Sequence, residues 1–279
     1  MIKTILINSF LLFLSLISQV QAETERNIFY SNEIHELKNL DVYTPDNNNQ
    51  NLPVLIHIHG GGWKRGDKNI QKQHGEFYSN HNIIFININY RLTPEVKHPG
   101  HVEDCAEAVA WVFRNIDKLG GNKDRVFISG HSAGAHLAAL LGTDASYLNK
   151  YNIQLSQLAG IIPVDTASFD LLSKRNERFV RKLVNNAFGS DKAILKAASP
   201  MHHVNMNQSY PDFLIFASSK RNSAIKQSEE LSRRLYETGN KARAIIVEGY
   251  NHRNMNTGMR ESGGPISTEI LNFIKLTVL

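Results

Sequence analysis

RVFISGHSAGAHLAALL, residues 125–141, is the stretch on which the fold turns. Val126, Phe127 and Ile128 form a short apolar run with β preference, and Gly130 stops it. From Ala133 onward the chain is rich in Ala and Leu, the strongest helix formers. Between the two, Gly130-His131-Ser132-Ala133-Gly134 sets a serine with a glycine two residues away on either side. A strand that becomes a helix in so few residues leaves no room for side chains at the glycine positions. The turn also lifts the serine hydroxyl above the sheet edge. There the hydroxyl faces the unpaired N–H groups and the positive dipole end of a helix, which favour developing negative charge. Ser132 is therefore the candidate nucleophile, with His131 beside it in the candidate substrate pocket.

Upstream, Leu52 to His59 reads as a buried strand that runs into Gly60-Gly61-Gly62-Trp63. Acyl transfer creates an oxyanion, and a preorganised backbone N–H aimed at it is worth roughly 3 kcal/mol. Glycines let the main chain approach that oxygen closely. The expected donors are Gly60 and Gly61, joined by Ala133 just after the nucleophile, with Trp63 walling the pocket. His59 is expected to bond the local backbone and not to react.

Strands and helices alternate along the rest of the chain, the pattern of a mainly parallel sheet covered on both faces. Strands are expected at His35 to Tyr43, Asn82 to Tyr90, Leu158 to Val164, Phe213 to Ala217 and Ala242 to Val247. Helices are expected at Val102 to Asn115, Ser223 to Thr238 (closed by Gly239) and Ile266 to Leu276. No repeat and no linker divides them, so one doubly wound α/β domain is expected. The general base must lie late in the chain, on a loop after the last strand. Of twelve histidines, His252 is the one directly after Ala242 to Val247 and before the closing helix. His202 and His203, in a loop with no acidic metal ligand nearby in sequence, read as structural.

The N-terminus has the layout of a secretory leader: Lys3, an almost wholly apolar stretch from Ile5 to Ile17, then Val20-Gln21-Ala22. The stretch falls short of the roughly 20 residues that cross a bilayer. Cleavage after Ala22 is expected, leaving one domain over residues 23–279 exported to the periplasm or medium, with no membrane span. The hydrophobic content of 42% suffices for a core between a sheet and two helix layers. Cys105 is the single cysteine, so no internal disulfide can form; its helical setting reads as a small buried apolar residue. The net charge of +5 is dispersed. Its pairs, Lys174-Arg175 and Arg233-Arg234, fall on expected helices without interleaved aromatics, which argues against a nucleic-acid partner.

Taken together, the chain resembles α/β-hydrolase esterases related to the kynurenine formamidases and the hormone-sensitive lipase group. The residues that carry the resemblance are His59 to Trp63, Asn89-Tyr90-Arg91-Leu92, His98-Pro99 with Glu103-Asp104, Gly130 to Gly134, Ser199-Pro200 and the His252 loop. The resemblance implies the α/β-hydrolase fold with an eight-stranded, mostly parallel sheet, no metal and no cofactor. It also implies hydrolysis of a small-molecule acyl ester through an acyl-enzyme. Such enzymes carry the triad acid just after the strand that here is Phe213 to Ala217. This sequence has Ser218-Ser219-Lys220-Arg221-Asn222 there, without a carboxylate. Asp212 lies at the wrong end of that strand, roughly 16 Å away at about 3.3 Å per residue.

Asp165, at the C-terminal end of the neighbouring strand, is the preferred substitute, since catalytic groups gather at that edge of such sheets. A shift of this kind resembles the pancreatic lipases. Glu248, four residues before His252, is the second candidate, and a site without an acid the third. Asp170 resembles a structural aspartate that ties a loop. The rival functions are formamide or peptide cleavage on the same triad, and a non-catalytic binding protein that kept the fold.

Overall fold

A computed structural model describes residues 23–47, 49–173 and 178–277. The leader expected at Met1–Ala22 and the Lys174-Arg175 pair lie outside the described residues.

Eight strands form one sheet: β1 (Glu23–Phe29), β2 (Asn39–Thr44), β3 (Leu52–Ile58), β4 (Ile84–Ile88), β5 (Gly121–His131), β6 (Leu158–Val164), β7 (Asp212–Ser218) and β8 (Ala242–Val247). Their order is β1-β2-β4-β3-β5-β6-β7-β8. The pairs β1–β2 and β2–β4 are antiparallel, and the rest of the sheet is parallel. The helices are α1 (Lys72–Ser79), α2 (Gly100–Asn115), α3 (Ala133–Thr143), α4 (Ala145–Asn149), α5 (Arg178–Phe188), α6 (Lys192–Ala197), α7 (Asn222–Glu237), α8 (His252–Gly258) and α9 (Pro265–Leu276). The eight-stranded, mostly parallel α/β-hydrolase architecture is thus the observed one.

Parallel strands must be joined by crossovers, and the joining helices cover both faces. The two-residue period of a strand sorts the core accordingly. Val54, Ile56 and Ile58 of β3 pack with Val102, Val109, Leu137 and Leu141 of α2 and α3. Leu55, one residue out of step, packs with Phe85, Phe127 and the α1 and α9 side chains Tyr78, Ile266 and Ile270. Every residue of β3 and β4 is buried, as a central strand between two helix layers requires. Each such Ile or Leu contributes about 1.5–3 kcal/mol by leaving water. Cys105 is fully buried on α2, and burial pushes its thiol pKa up.

Three differences from the sequence expectation have physical causes. β1 (ETERNIF) has too few apolar residues to signal a strand; it is an edge strand, and Asp41 of β2 accepts the Asn27 N–H at 2.9 Å. The early strand begins at Asn39, not His35, because His35 to Lys38 close a turn through the Lys38 N–H and the His35 carbonyl. Finally, α5 and α6 lie in the long segment between β6 and β7, where the one helix expected was placed at Lys174-Arg175, ahead of both.

Candidate active site

Gly130 and Gly134 are required by sterics. A Cβ on Gly130 would overlap the carbonyl of Gly134, and one on Gly134 would overlap the carbonyl oxygen of Ile58. The turn they permit holds Ser132 at φ 59°, ψ −116°, a strained conformation for a residue with a side chain. Its N–H is tied to the Val164 carbonyl at the end of β6, 3.0 Å away. The Ser132 hydroxyl does not cap α3 although it occupies the N-cap position. It lies 3.0 Å from His252 Nε2 instead.

His252 is the first residue of α8, not a loop residue as expected. Asn251 caps that helix, its side chain accepting from the N–H groups of Arg253 and Asn254. Two further bonds fix the entry to α8. The Ser218 hydroxyl donates to the Tyr250 carbonyl at 2.6 Å, and His131 Nε2 lies 2.7 Å from the His252 carbonyl. Burial, then the nearby His252, pushes the His131 pKa down to about 3, so its ring is neutral and donates this bond. The two rings stand 4.6 Å apart. His131, expected in the substrate pocket, therefore supports His252 from behind and is not among the residues lining the cavity at Ser132.

The fold carries Asp165 to the far side of the imidazole. Asp165 directly follows β6, is fully buried, and has φ 53°. Its Oδ2 lies 2.6 Å from His252 Nδ1. Its Oδ1 accepts the Ser218 N–H at 3.0 Å, and Oδ2 also accepts from Arg221 Nη1 at 2.9 Å. Burial alone would raise this carboxyl pKa. The bond to His252, the Arg221 charge and the Ser218 N–H outweigh it, so the group is held well below the usual carboxylate range. Glu248 is exposed and makes no hydrogen bond to His252 among the described residues, and Asp212 stands at the opposite end of β7. Asp170 ties its loop, its Oδ1 accepting the Leu172 N–H at 3.0 Å.

Of the two glycines expected as oxyanion donors, Gly60 is the one beside Ser132: a Cβ there would lie 3.1 Å from Ser132 Cβ and 2.8 Å from the His131 carbonyl. Gly61 follows at φ 125°, which only glycine adopts without strain. Ala133 is the first residue of α3, where the backbone N–H has no partner within the helix. His59 bonds the Gly60 carbonyl at 2.8 Å, as expected, and stacks on Tyr90. The Tyr90 hydroxyl donates to the His59 carbonyl at 3.1 Å, and the next residue, Arg91, grips Asp104 through Nε and Nη2 at 2.9 and 2.7 Å. The Asn89-to-Leu92 motif is thus the brace of the glycine loop.

Above Ser132 lies a small cavity of about 30 Å³, lined by Gly62, Trp63, Thr166, Ala167, Val180 and Leu183 among others. Trp63 is nearly fully buried and packs edge-on against His136 and Phe188, so it wall the cavity with its body in the core. Leu183 of α5 roofs the site against Gly62. A larger groove along α7, about 650 Å³, is lined by charged side chains such as Lys226, Glu230 and Arg234 and contains none of these groups.

His131, Asp165 and His252 place ligand-type atoms within 4.8 Å of one another. His131 Nε2, His252 Nδ1 and the Asp165 carboxylate are engaged in the bonds above, and a guanidinium already sits against two of the three residues. The pattern is that of a histidine oriented by a carboxylate. His202 and His203 correct the sequence reading in one respect: the fold brings carboxylates to both, Asp170 at 3.2 Å and Asp144 at 3.7 Å. Sequence reasoning missed the parts played by Ser218 and Arg221. The signal was present as a cationic turn where an acid is usual, but no local motif connects it to Asp165.

Comparison with known proteins agrees with this architecture. Esterase LipC of Mycobacterium tuberculosis is 29% identical over 209 residues, 70% of this chain and 50% of that protein. The chain therefore spans about half the length of that relative. Among solved structures, an inhibited esterase B from Lactobacillus rhamnosis superposes with a TM-score of 0.78 at 19% identity, covering 92% of this chain and 87% of the other. A truncated carbohydrate esterase from gut microbiota gives a TM-score of 0.77 at 20% identity, covering 93% and 98%. The pattern of the BD-FAE family matches residues 40–235, which hold the glycine loop, the elbow and Asp165. The chain belongs to the BD-FAE family.

Proposed function

We propose that this chain is a serine hydrolase of small carboxylic esters, with Ser132 as nucleophile, His252 as general base and Asp165 as the acid. The observation that carries the reading is one continuous line of contacts: Ser132 Oγ to His252 Nε2 at 3.0 Å, and His252 Nδ1 to Asp165 Oδ2 at 2.6 Å. In this arrangement the carboxylate holds the proton on Nδ1 and leaves the Nε2 lone pair facing the hydroxyl. The imidazole takes the hydroxyl proton as Oγ attacks the ester carbonyl. The oxyanion grows towards the N–H groups of Gly60, Gly61 and Ala133. His252 then passes the proton to the departing alcohol, and water repeats the sequence to release the acid.

The cavity at Ser132, about 30 Å³, is well below the roughly 300–1,000 Å³ of drug-sized ligand pockets, which supports a small acyl group. Esters are favoured over amides by the names of the relatives, an esterase and a carbohydrate esterase among them. The leader-like segment supports export, and N-terminal sequencing of the secreted protein should then begin at Glu23; an intact Met1 in a membrane fraction contradicts it. The activity is tested with p-nitrophenyl acetate, an aminoacyl anilide and a fluorophosphonate probe. Hydrolysis of the ester, inertness of the anilide and rapid covalent labelling are expected. Cleavage of the anilide in preference to the ester would make it a peptidase, and absence of labelling would make it a binding protein.

A further inference from the structure

Arg221 occupies the turn after β7, where the resemblance places an acid, and it points its charge into the triad from there. Its Nη1 lies 2.9 Å from Asp165 Oδ2, 3.1 Å from the Asp165 carbonyl and 2.8 Å from His252 Nδ1. One nitrogen thus bridges the backbone and side chain of the same residue, which fixes the direction of that carboxylate. Nη1 has two hydrogens and three neighbours. When Nδ1 carries the proton it donates to Asp165, it offers Arg221 no lone pair, so the guanidinium, itself paired with Asp165, meets the ring edge as a positive charge.

We infer that Arg221 is a positioning residue of the triad, which aims Asp165 at His252 and sets its own positive charge against the imidazolium. The inference rests on the serine-hydrolase reading above.

The imidazole is faced from each packed element by a defined group. His131 comes from β5, neutral and hydrogen-bonded to the His252 carbonyl. Asp165 comes from the end of β6 and Arg221 from the turn after β7. On α8 itself the neighbouring Arg253 is exposed. A carboxylate stabilises the imidazolium and a cation destabilises it, so Asp165 and Arg221 act in opposite directions on the ring. Asp165, buried and 2.6 Å away, favours the charged ring. Arg221 opposes this while keeping the carboxylate ionised and aimed.

The test is the pH profile of kcat/KM for p-nitrophenyl acetate, with fluorophosphonate labelling rate as a substrate-independent second readout. It compares wild type, Arg221→Gln and Arg221→Lys. Arg221→Gln keeps a hydrogen-bond donor and removes the charge, and its acid-limb midpoint should rise by about one pH unit. Arg221→Lys keeps the charge, and its midpoint should stay at the wild-type value. The midpoint is independent of how much enzyme is folded, so a structural role that only lowers stability leaves it in place. An unmoved midpoint in Arg221→Gln overturns the inference, and so does an equal rise in both variants. A wild type that is labelled with an acid limb of its own upholds the hydrolase reading whatever the variants do. A wild type inert to both ester and probe at every pH overturns both.

Discussion

At the end of β5 the site is held by backbone sterics. Two glycines have carbonyl groups where their side chains would be, and Ser132 is forced to positive φ between them. At the ends of β6 and β7, one and two strands away, the site is held by charge and hydrogen bonds. Asp165 has its carboxylate shared among Ser218, Arg221 and His252. The first corner admits one local sequence pattern. The second needs a carboxylate near Nδ1 and can draw it from either adjacent strand, provided the other strand supplies donors. Here the acid is on β6 and the donors are on β7.

The largest effect should come from breaking the first corner at its reactive atom. Ser132→Ala should lower kcat by on the order of 10⁶ and abolish fluorophosphonate labelling, with the melting temperature unchanged. Steady-state kinetics on the purified variant check this. Gly134→Ala probes the same corner through its backbone. The added methyl would meet the Ile58 carbonyl, and overpacking that cannot relax should cost about 3 kcal/mol or more, read by denaturant unfolding. A variant as stable as wild type would mean the elbow is not sterically locked.

The second corner should respond to pH where the first does not. Asp165 is held below the usual carboxylate range, so its ionised form adds stability above the unfolded value near 4. That contribution is lost as pH falls through the folded value. Asp165→Asn should therefore be less stable than wild type by about 1–3 kcal/mol at pH 7, and the gap should narrow below about pH 4. Urea unfolding at both pH values measures it. A gap that is constant with pH would show that the charge of Asp165 does not contribute.

This difference between the corners also explains what could be read in the sequence. The elbow and the glycine loop lie within Gly130 to Gly134 and His59 to Trp63, and their chemistry is a matter of local geometry. The parallel strands were legible because a doubly covered strand is largely apolar, as in β3, β4 and β6, with His57 and Asn87 the polar exceptions. β1 escaped because an edge strand made of ETERNIF has no apolar run. The helical start at His252 was legible only in hindsight, through the reciprocal bonds of Asn251 and Asn254. Asp165 could be nominated from strand order, but its distance to His252 depends on which strands adjoin. Arg221 could not be nominated at all, because 56 positions in the chain separate it from the carboxylate it grips.

That Asp165 works across from the neighbouring strand is tested most directly by kcat for Asp165→Asn beside Glu248→Gln. The asparagine keeps the shape and loses the charge that fixes the tautomer and stabilises the imidazolium. It should lower kcat by roughly two to four powers of ten with KM little changed, while Glu248→Gln, altering an exposed residue, stays within about twofold of wild type. An Asp165→Asn enzyme at near wild-type kcat, with the loss appearing in Glu248→Gln instead, would contradict it.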